Sequence, residues 1–410
     1  MRVRRRREAP PLFHALAASQ SASIVRTSGG ERRLGNGILA RLTVAVAASF
    51  CGIIAATCWV MLTDPKPVDF LSFWAAGRMI VEGAGTQIYD IEAHRAVEQT
   101  VSAVGILPFP YPPPFALMLT PFGLLPFGLG FAAWVALTGF FYVLAARPWM
   151  QDRLALAQPS VLVNGFIGQN AFLTSGLFLA GLHLLKTRPL IAGAVLGLLV
   201  IKPQLAVMLP VAMIAGRHWQ AIAGGALSAV TLLLVGLVAL GTGSYAAFFE
   251  MLSTYTGFVA NSRWPWHELA SVYALLRYFG LAAGIAMAIH VAVAAAAAVM
   301  VWQAWRQDRP GKEAVLAAAT LLATPYLLTY DAVLLGLPVA WLLLRGSRPV
   351  AALLIWAFSL LSVVAIAGLY ELPNMLSFGA MTALVACYLP QQAKKKAATP
   401  HSAAASFENS

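Results

Sequence analysis

Apolar residues run along this chain in long stretches with short polar breaks, rather than alternating in period two or keeping to one helical face. The stretches fall at roughly 42–62, 115–146, 154–167, 170–185, 189–201, 204–216, 219–241, 279–304, 314–329, 331–344, 349–369 and 374–389. A helix rises 1.5 Å per residue, so roughly 20 residues cross a hydrocarbon core. The pattern predicts an all-α integral membrane protein, a bundle of about 12 transmembrane helices occupying residues 37–390. Several stretches of 13 to 16 residues leave individual span boundaries open. Two intervening segments, about 64–110 and 242–278, predict long outer loops, and WAAGRMIVEG in the first predicts an amphipathic helix lying on the membrane. Residues 1–36 and 391–410 lack periodicity and predict disordered cytoplasmic tails, the first of them Arg-rich. The apolar stretch at 42–62 lies far from the start with no small-residue cleavage site behind it, so it is expected to remain as an anchoring span.

Composition agrees with this solvent. Hydrophobic residues make up 60% of the 410 residues and charged residues 11%, against about 25% charged in soluble domains. The mean hydropathy is +0.74. An ordinary soluble enzyme is thereby excluded. A net charge of +12 in a soluble chain would suggest nucleic acid, but here the basic residues sit in clusters between apolar stretches. With the N-terminus in the cytoplasm, only Lys66, Arg78, Arg95, Lys202, Arg263 and Arg277 of the 28 basic residues fall on the outer side. That asymmetry predicts both termini inside, long loops outside and no nucleic-acid partner. Cys51 and Cys58 are seven residues apart, roughly 10.5 Å of helical rise and too far for a disulfide. No Cys or His pair has metal-ligand spacing, so neither a metal nor another cofactor is expected.

Candidate chemistry clusters on the outer side. Asp69 opens DFLSFWAAGR beside aromatic residues. A partly desolvated carboxylate there can take a proton from a hydroxyl; the alternative is a simple N-cap for the helix beginning near Leu71. Tyr111 lies in FPYPPPF, whose prolines either kink the backbone around a cavity or set the angle of the next helix. Gln169, Asn170 and Lys202 are polar residues at membrane depth. Lys202 can hold a lipid phosphate or snorkel to headgroups, and both readings stay open. Asp331, in TPYLLTYD, can bind sugar hydroxyls or pair with Lys202 or an arginine. The second loop brings Arg263, Trp264, Trp266, His267, Glu268 and Arg277, and its tryptophans suit either sugar stacking or a membrane interface. His290 reads as a packed core histidine, and no P-loop, HExxH, GxGxxG or nucleophile elbow occurs.

The ordered run DFLSFWAAGRMIVEGAGTQIYD, FPYPPPFALMLTPFGLLP, GQNAFL, RPLIAGAVLGLLVIKPQ, SVYALLRYFG and TPYLLTYDAVLLGLP resembles glycosyltransferase family 87, once called DUF2029, over about residues 42–389. The family is similar to polyprenyl-phosphate-mannose-dependent mannosyltransferases of the GT-C fold. The resemblance implies a GT-C-like hexosyl- or mannosyltransferase that moves sugar, with inversion, from a polyprenyl-phosphate donor to a lipid or glycan acceptor. It implies a bacterial inner (plasma) membrane location with the active site on the periplasmic face. It carries the general-base role to Asp69 and places Arg78, Gln169, Asn170 and Lys202 in family motifs. Tyr111, Arg263, His267, Arg277 and Asp331 join them as candidate donor-phosphate or substrate contacts. The segment near Pro325 departs from the family, which often has a histidine where this chain has Tyr326 and then Asp331. Rival readings are a transporter or lipid-linked-sugar flippase, or another GT-C polymerase or ligase.

Overall fold

The computed structural model describes residues 37–103, 107–260, 265–345, 348–368 and 372–390. The two expected tails lie outside the described residues, and so does Arg263. The chain divides into two units, Met1–Ala45 and Val46–Ser410. The described part of the first is the start of helix α1 (Ile38–Thr63), where the Thr43 hydroxyl donates to the Ala40 carbonyl.

The second unit continues through α2 (Phe70–Val81), α3 (Ile91–Glu98), α4 (Pro113–Gly123), α5 (Phe127–Ala146), α6 (Asp152–Leu156), α7 (Pro159–Ile167), α8 (Ala171–Leu184) and α9 (Pro189–Gly197). It goes on through α10 (Leu209–Ala215), α11 (Trp219–Ala260), α12 (Val272–Tyr278), α13 (Ala283–Arg306), α14 (Lys312–Ala323), α15 (Gly336–Leu344), α16 (Pro349–Ile366) and α17 (Leu376–Tyr388). Among the described residues the fold is all-helical, apart from one isolated bridge between Leu269 and Leu328.

Among the described residues, five helical segments are long and apolar enough to cross a membrane: Ala40–Thr63, Phe127–Ala146, Trp219–Thr254, Ala283–Arg306 and Pro349–Ile366. The other apolar helices have 10–17 residues. Of the about twelve transmembrane helices expected, several of them from stretches of 13 to 16 residues, many are short helices that meet at breaks, for a local reason. Pro126 opens α5, Gly168 ends α7, and Lys202 precedes Pro203, which disfavours a helical residue before it. The second expected loop is also shorter, because helix continues past Gly241 (φ 77°) to Ala260.

Helix α2 corrects a further expectation. It is not a helix with one face left open; nine of its 12 residues are buried within the protein. Its backbone presses on α4 at paired glycines, where a Cβ on Gly77 would stand 2.4 Å from the Leu119 carbonyl oxygen and one on Gly123 would stand 2.3 Å from the Gly77 carbonyl carbon. Only glycine permits that approach. The prolines after Tyr111 act as a helix start: Pro112 is extended and Pro113 and Pro114 occupy the first turn of α4, where no amide donor is needed. This sets α4 against α2 and gathers Phe73, Phe109, Tyr111, Phe115 and Trp134, with ring centroids 5.0–6.3 Å apart, mostly edge-on or tilted.

Candidate active site

Asp69 precedes α2 yet does not cap it: its side chain makes no bond to the helix's amides. Its Oδ2 instead accepts from Gln169 Nε2 at 2.8 Å, across 100 residues of sequence. The N-cap alternative is thereby set aside.

Gln169 is held there by the turn that carries it. Gly168 ends α7 in the left-handed conformation (φ 70°), with its amide on the Asn164 carbonyl and its own carbonyl accepting from Trp134 Nε1 at 2.8 Å. A Cβ at Gly168 would stand 2.6 Å from the Phe70 Cβ and 2.8 Å from the Phe131 ring. Asn164 Oδ1 then accepts the Ala171 amide at 2.8 Å and fixes the start of α8. Gln169 Oε1 accepts from the Tyr111 hydroxyl at 3.1 Å and the Asn170 amide at 3.2 Å, so both ends of the amide are used. Tyr111 is itself anchored, its carbonyl taking the Tyr89 hydroxyl at 2.8 Å.

The network continues inward. Lys202, 2% exposed, stands at the break between two 3-10 turns, 198–201 and 203–205. Its Nζ donates to Asn170 Oδ1 at 3.1 Å and to Asp331 Oδ1 at 2.5 Å, and lies 4.6 Å from the centre of the Tyr330 ring. Asp331 sits in the 3-10 segment Thr329–Leu335 and is also 2% exposed. A buried ammonium needs such partners, because unpaired burial would cost several kcal/mol. The snorkelling alternative is excluded by that burial. Asn170 Nδ2 is buried and finds no acceptor among the described residues.

The loop before α12 closes over this region. The Ala270 amide donates to the Leu327 carbonyl at 2.7 Å, and Asn374 Nδ2 bridges the His267 carbonyl at 3.2 Å and Thr329 Oγ1 at 2.8 Å. Glu268 is thereby close enough for its charge to interact with that of Asp69.

Asp69 lies between α1 and α2, outside the spans. Burial, the largest influence, holds its carboxyl above the usual carboxylate range, against the opposing pull of the Gln169 amide and the Lys202 charge. Burial likewise raises Glu268, with His267 pulling the other way and Asp69 adding repulsion. A buried acid held high beside a second acid is a familiar arrangement for proton transfer.

Six of the residues singled out in the sequence therefore form one hydrogen-bonded chain: Asp69, Gln169, Tyr111, Asn170, Lys202 and Asp331. Three others stand apart from it. Arg78, near the end of α2, pairs with Glu82 at 2.6 Å on the surface. Arg277 lies 5.1 Å from the Trp266 ring centre and donates to the Leu281 carbonyl at 2.6 Å. Among the described residues, His267 enters the bonding through its backbone carbonyl. Glu268 is noted in the sequence only as a residue of the second loop, with no site role, while Tyr330 and Asn374 are not singled out there, and Asn374 has no local signal.

Residues 109–329 match the family model of glycosyltransferase family 87. The chain belongs to this family. It is thus a glycosyltransferase. The family 87 match carries Tyr111, Gln169, Asn170, Lys202 and Glu268 and stops short of Asp69 and Asp331, which the fold joins to them. No curated protein and no solved structure matches the chain.

Proposed function

We propose that this family 87 protein transfers a hexose, mannose being the first candidate, from a polyprenyl-phosphate sugar to a hydroxyl of a lipid or glycan acceptor, at the outer face of a cell membrane. The observation that carries the reading is the Asp69 carboxylate, which is spent on Gln169 rather than on its own helix and lies at the end of a polar chain leading to a buried ammonium.

In the proposed step the acceptor oxygen attacks C1 of the sugar from the face opposite the phosphate. The C1–O bond to phosphate breaks, its electron pair leaves with the lipid phosphate, and the acceptor proton passes to Asp69. Inversion follows from the single displacement. A positioned base of this kind supplies about 10²- to 10⁴-fold. Lys202 has three N–H donors, two of them used by Asn170 and Asp331, so one is left for a phosphate oxygen. Asn170 Nδ2 offers a second donor. Preset donors of this kind favour the departing charge because they need no reorganisation as it develops.

The test is transfer of radiolabelled sugar from a panel of polyprenyl-phosphate sugars to membrane glycolipid by the purified protein, with Asp69→Asn alongside. Transfer by the wild-type protein and its loss in the variant is the expected result. Undiminished transfer by Asp69→Asn would sink the mechanism.

A further inference from the structure

Four basic residues that the candidate active site leaves unused, Lys186, Arg217, Arg306 and Lys312, gather at the other end of α14. That helix ends at Ala323, and the hydroxyl of the next residue, Thr324, donates to the Gln204 carbonyl two residues from Lys202. It begins at Lys312, 12 residues earlier, or roughly 18 Å of helical rise.

Around Lys312 the end of α8, the turn before α11 and the last turn of α13 enclose a cleft of about 690 Å³. Lys186, Arg217, Arg306 and Lys312 line it, with Asp308 as the only carboxylate among its lining residues. Asp308 is already committed, bonded to Lys312 Nζ at 2.6 Å. Lys312 is further held over the Trp305 ring at 4.5 Å, and its carbonyl accepts from Trp305 Nε1. Lys186, Arg217 and Arg306 make no ion pair among the described residues, and all three are exposed. The described lining of the cleft thus carries a surplus of three positive charges facing one space. Such a field repels itself and is relieved by an anion. The field is felt by His218 in the same wall: burial first, then the charge of Lys312, hold its imidazole below the usual range, with Asp308 opposing and Lys186 adding to the shift.

Two further observations point to the kind of anion. Trp219 starts α11 and Trp302 lies in the last turns of α13, both in the wall of the cleft and 61% and 38% exposed. Tryptophans at the ends of apolar spans sit at headgroup level, which puts the cations at the depth of lipid phosphates. The two non-glycine residues with positive φ among the described residues, Arg217 (57°) and Asp308 (49°), both belong to this cleft. Strained backbone collects where the surrounding structure holds a binding geometry.

We propose that this cleft is a binding site for the phosphate headgroup of an anionic phospholipid, with Lys186, Arg217 and Arg306 as its contacts. The site is separate from sugar transfer and does not depend on the donor or acceptor used. Each contact of a basic side chain with an anionic headgroup is worth roughly a fivefold change in affinity.

The experiment uses the full chain purified in mild detergent, with lipid retention read by native mass spectrometry after exposure to diphosphatidylglycerol, phosphatidylglycerol or phosphatidylcholine. The expected result is retention of the two anionic lipids at least tenfold above phosphatidylcholine, and loss of that preference in Lys186→Gln/Arg306→Gln. Both substituted side chains are exposed, and an unchanged thermal unfolding curve verifies the fold. Should the double variant not fold, Arg306→Gln alone is read against the wild-type preference, with a several-fold loss expected. Equal retention of phosphatidylcholine by the wild-type protein would overturn the proposal, as would an unaltered preference in the folded variant. Displacement of the lipid by millimolar inorganic phosphate would also overturn it, by making the ligand a soluble phosphate.

Discussion

Lys202 Nζ and Asp331 Oδ1 stand 2.5 Å apart, joined across 129 residues of chain and each residue 2% exposed. Neither can be in that position alone. Removing one partner of a buried ion pair leaves an uncompensated charge and costs about 3–5 kcal/mol, whereas replacing both with apolar groups of similar volume is often neutral. Lys202→Met and Asp331→Leu are therefore each expected to destabilise the protein by that order, and the double variant to recover most of the loss. Unfolding in mixed micelles measures this cycle. Independent, additive losses would show that the pair is not coupled. Neither single nor double variant should transfer sugar if Lys202 meets the departing phosphate.

Asp69 governs the pH dependence of transfer. Burial holds its carboxyl high, so at a pH where an exposed aspartate is ionised part of Asp69 is still protonated and cannot act as a base. The acid limb of the rate profile should have an apparent pKa above the value of about 4 for a free aspartate. Gln169 opposes the upward shift, so Gln169→Ala should move that limb to still higher pH and lower the rate at neutral pH. A limb that stays in place in Gln169→Ala would break the link between the two residues.

The same shift bears on stability. A carboxyl whose folded pKa lies above its unfolded value contributes stability that is present below the unfolded pKa and is lost as pH rises through the folded pKa. Ionised Asp69 therefore weakens the fold at neutral pH. Asp69→Asn should unfold at the same or a higher temperature than the wild-type protein at pH 7, while losing transfer. A fall of several degrees would instead mark Asp69 as structural.

Gly168 is required twice, by its left-handed backbone and by the 2.6 Å that separates its missing Cβ from Phe70. Gly168→Ala should cost at least 1–2 kcal/mol by order of magnitude. Because the displaced turn carries Gln169, activity should fall by more than the lost stability accounts for. Thermal unfolding and transfer, measured on the same preparation, separate the two effects.

Local chemistry determined much of this protein from the sequence alone. Unbroken apolar stretches such as 219–241 and 349–369 specify helices in hydrocarbon, because no other backbone satisfies its own polar groups there. Gly168, Pro112 and Pro203 specify where helices stop or start, since φ and the missing amide are properties of single residues. The polar residues Gln169, Asn170 and Lys202 stood out because such groups at membrane depth need partners. Which partners they take was decided only by tertiary structure. Asp69 with Gln169, and Lys202 with Asp331, are joined by packing between distant helices, and no local spacing records that approach. The burial of α2 likewise depends on Gly77 meeting Gly123 on another helix. Its amphipathic pattern reads the same whether the apolar face meets lipid or protein.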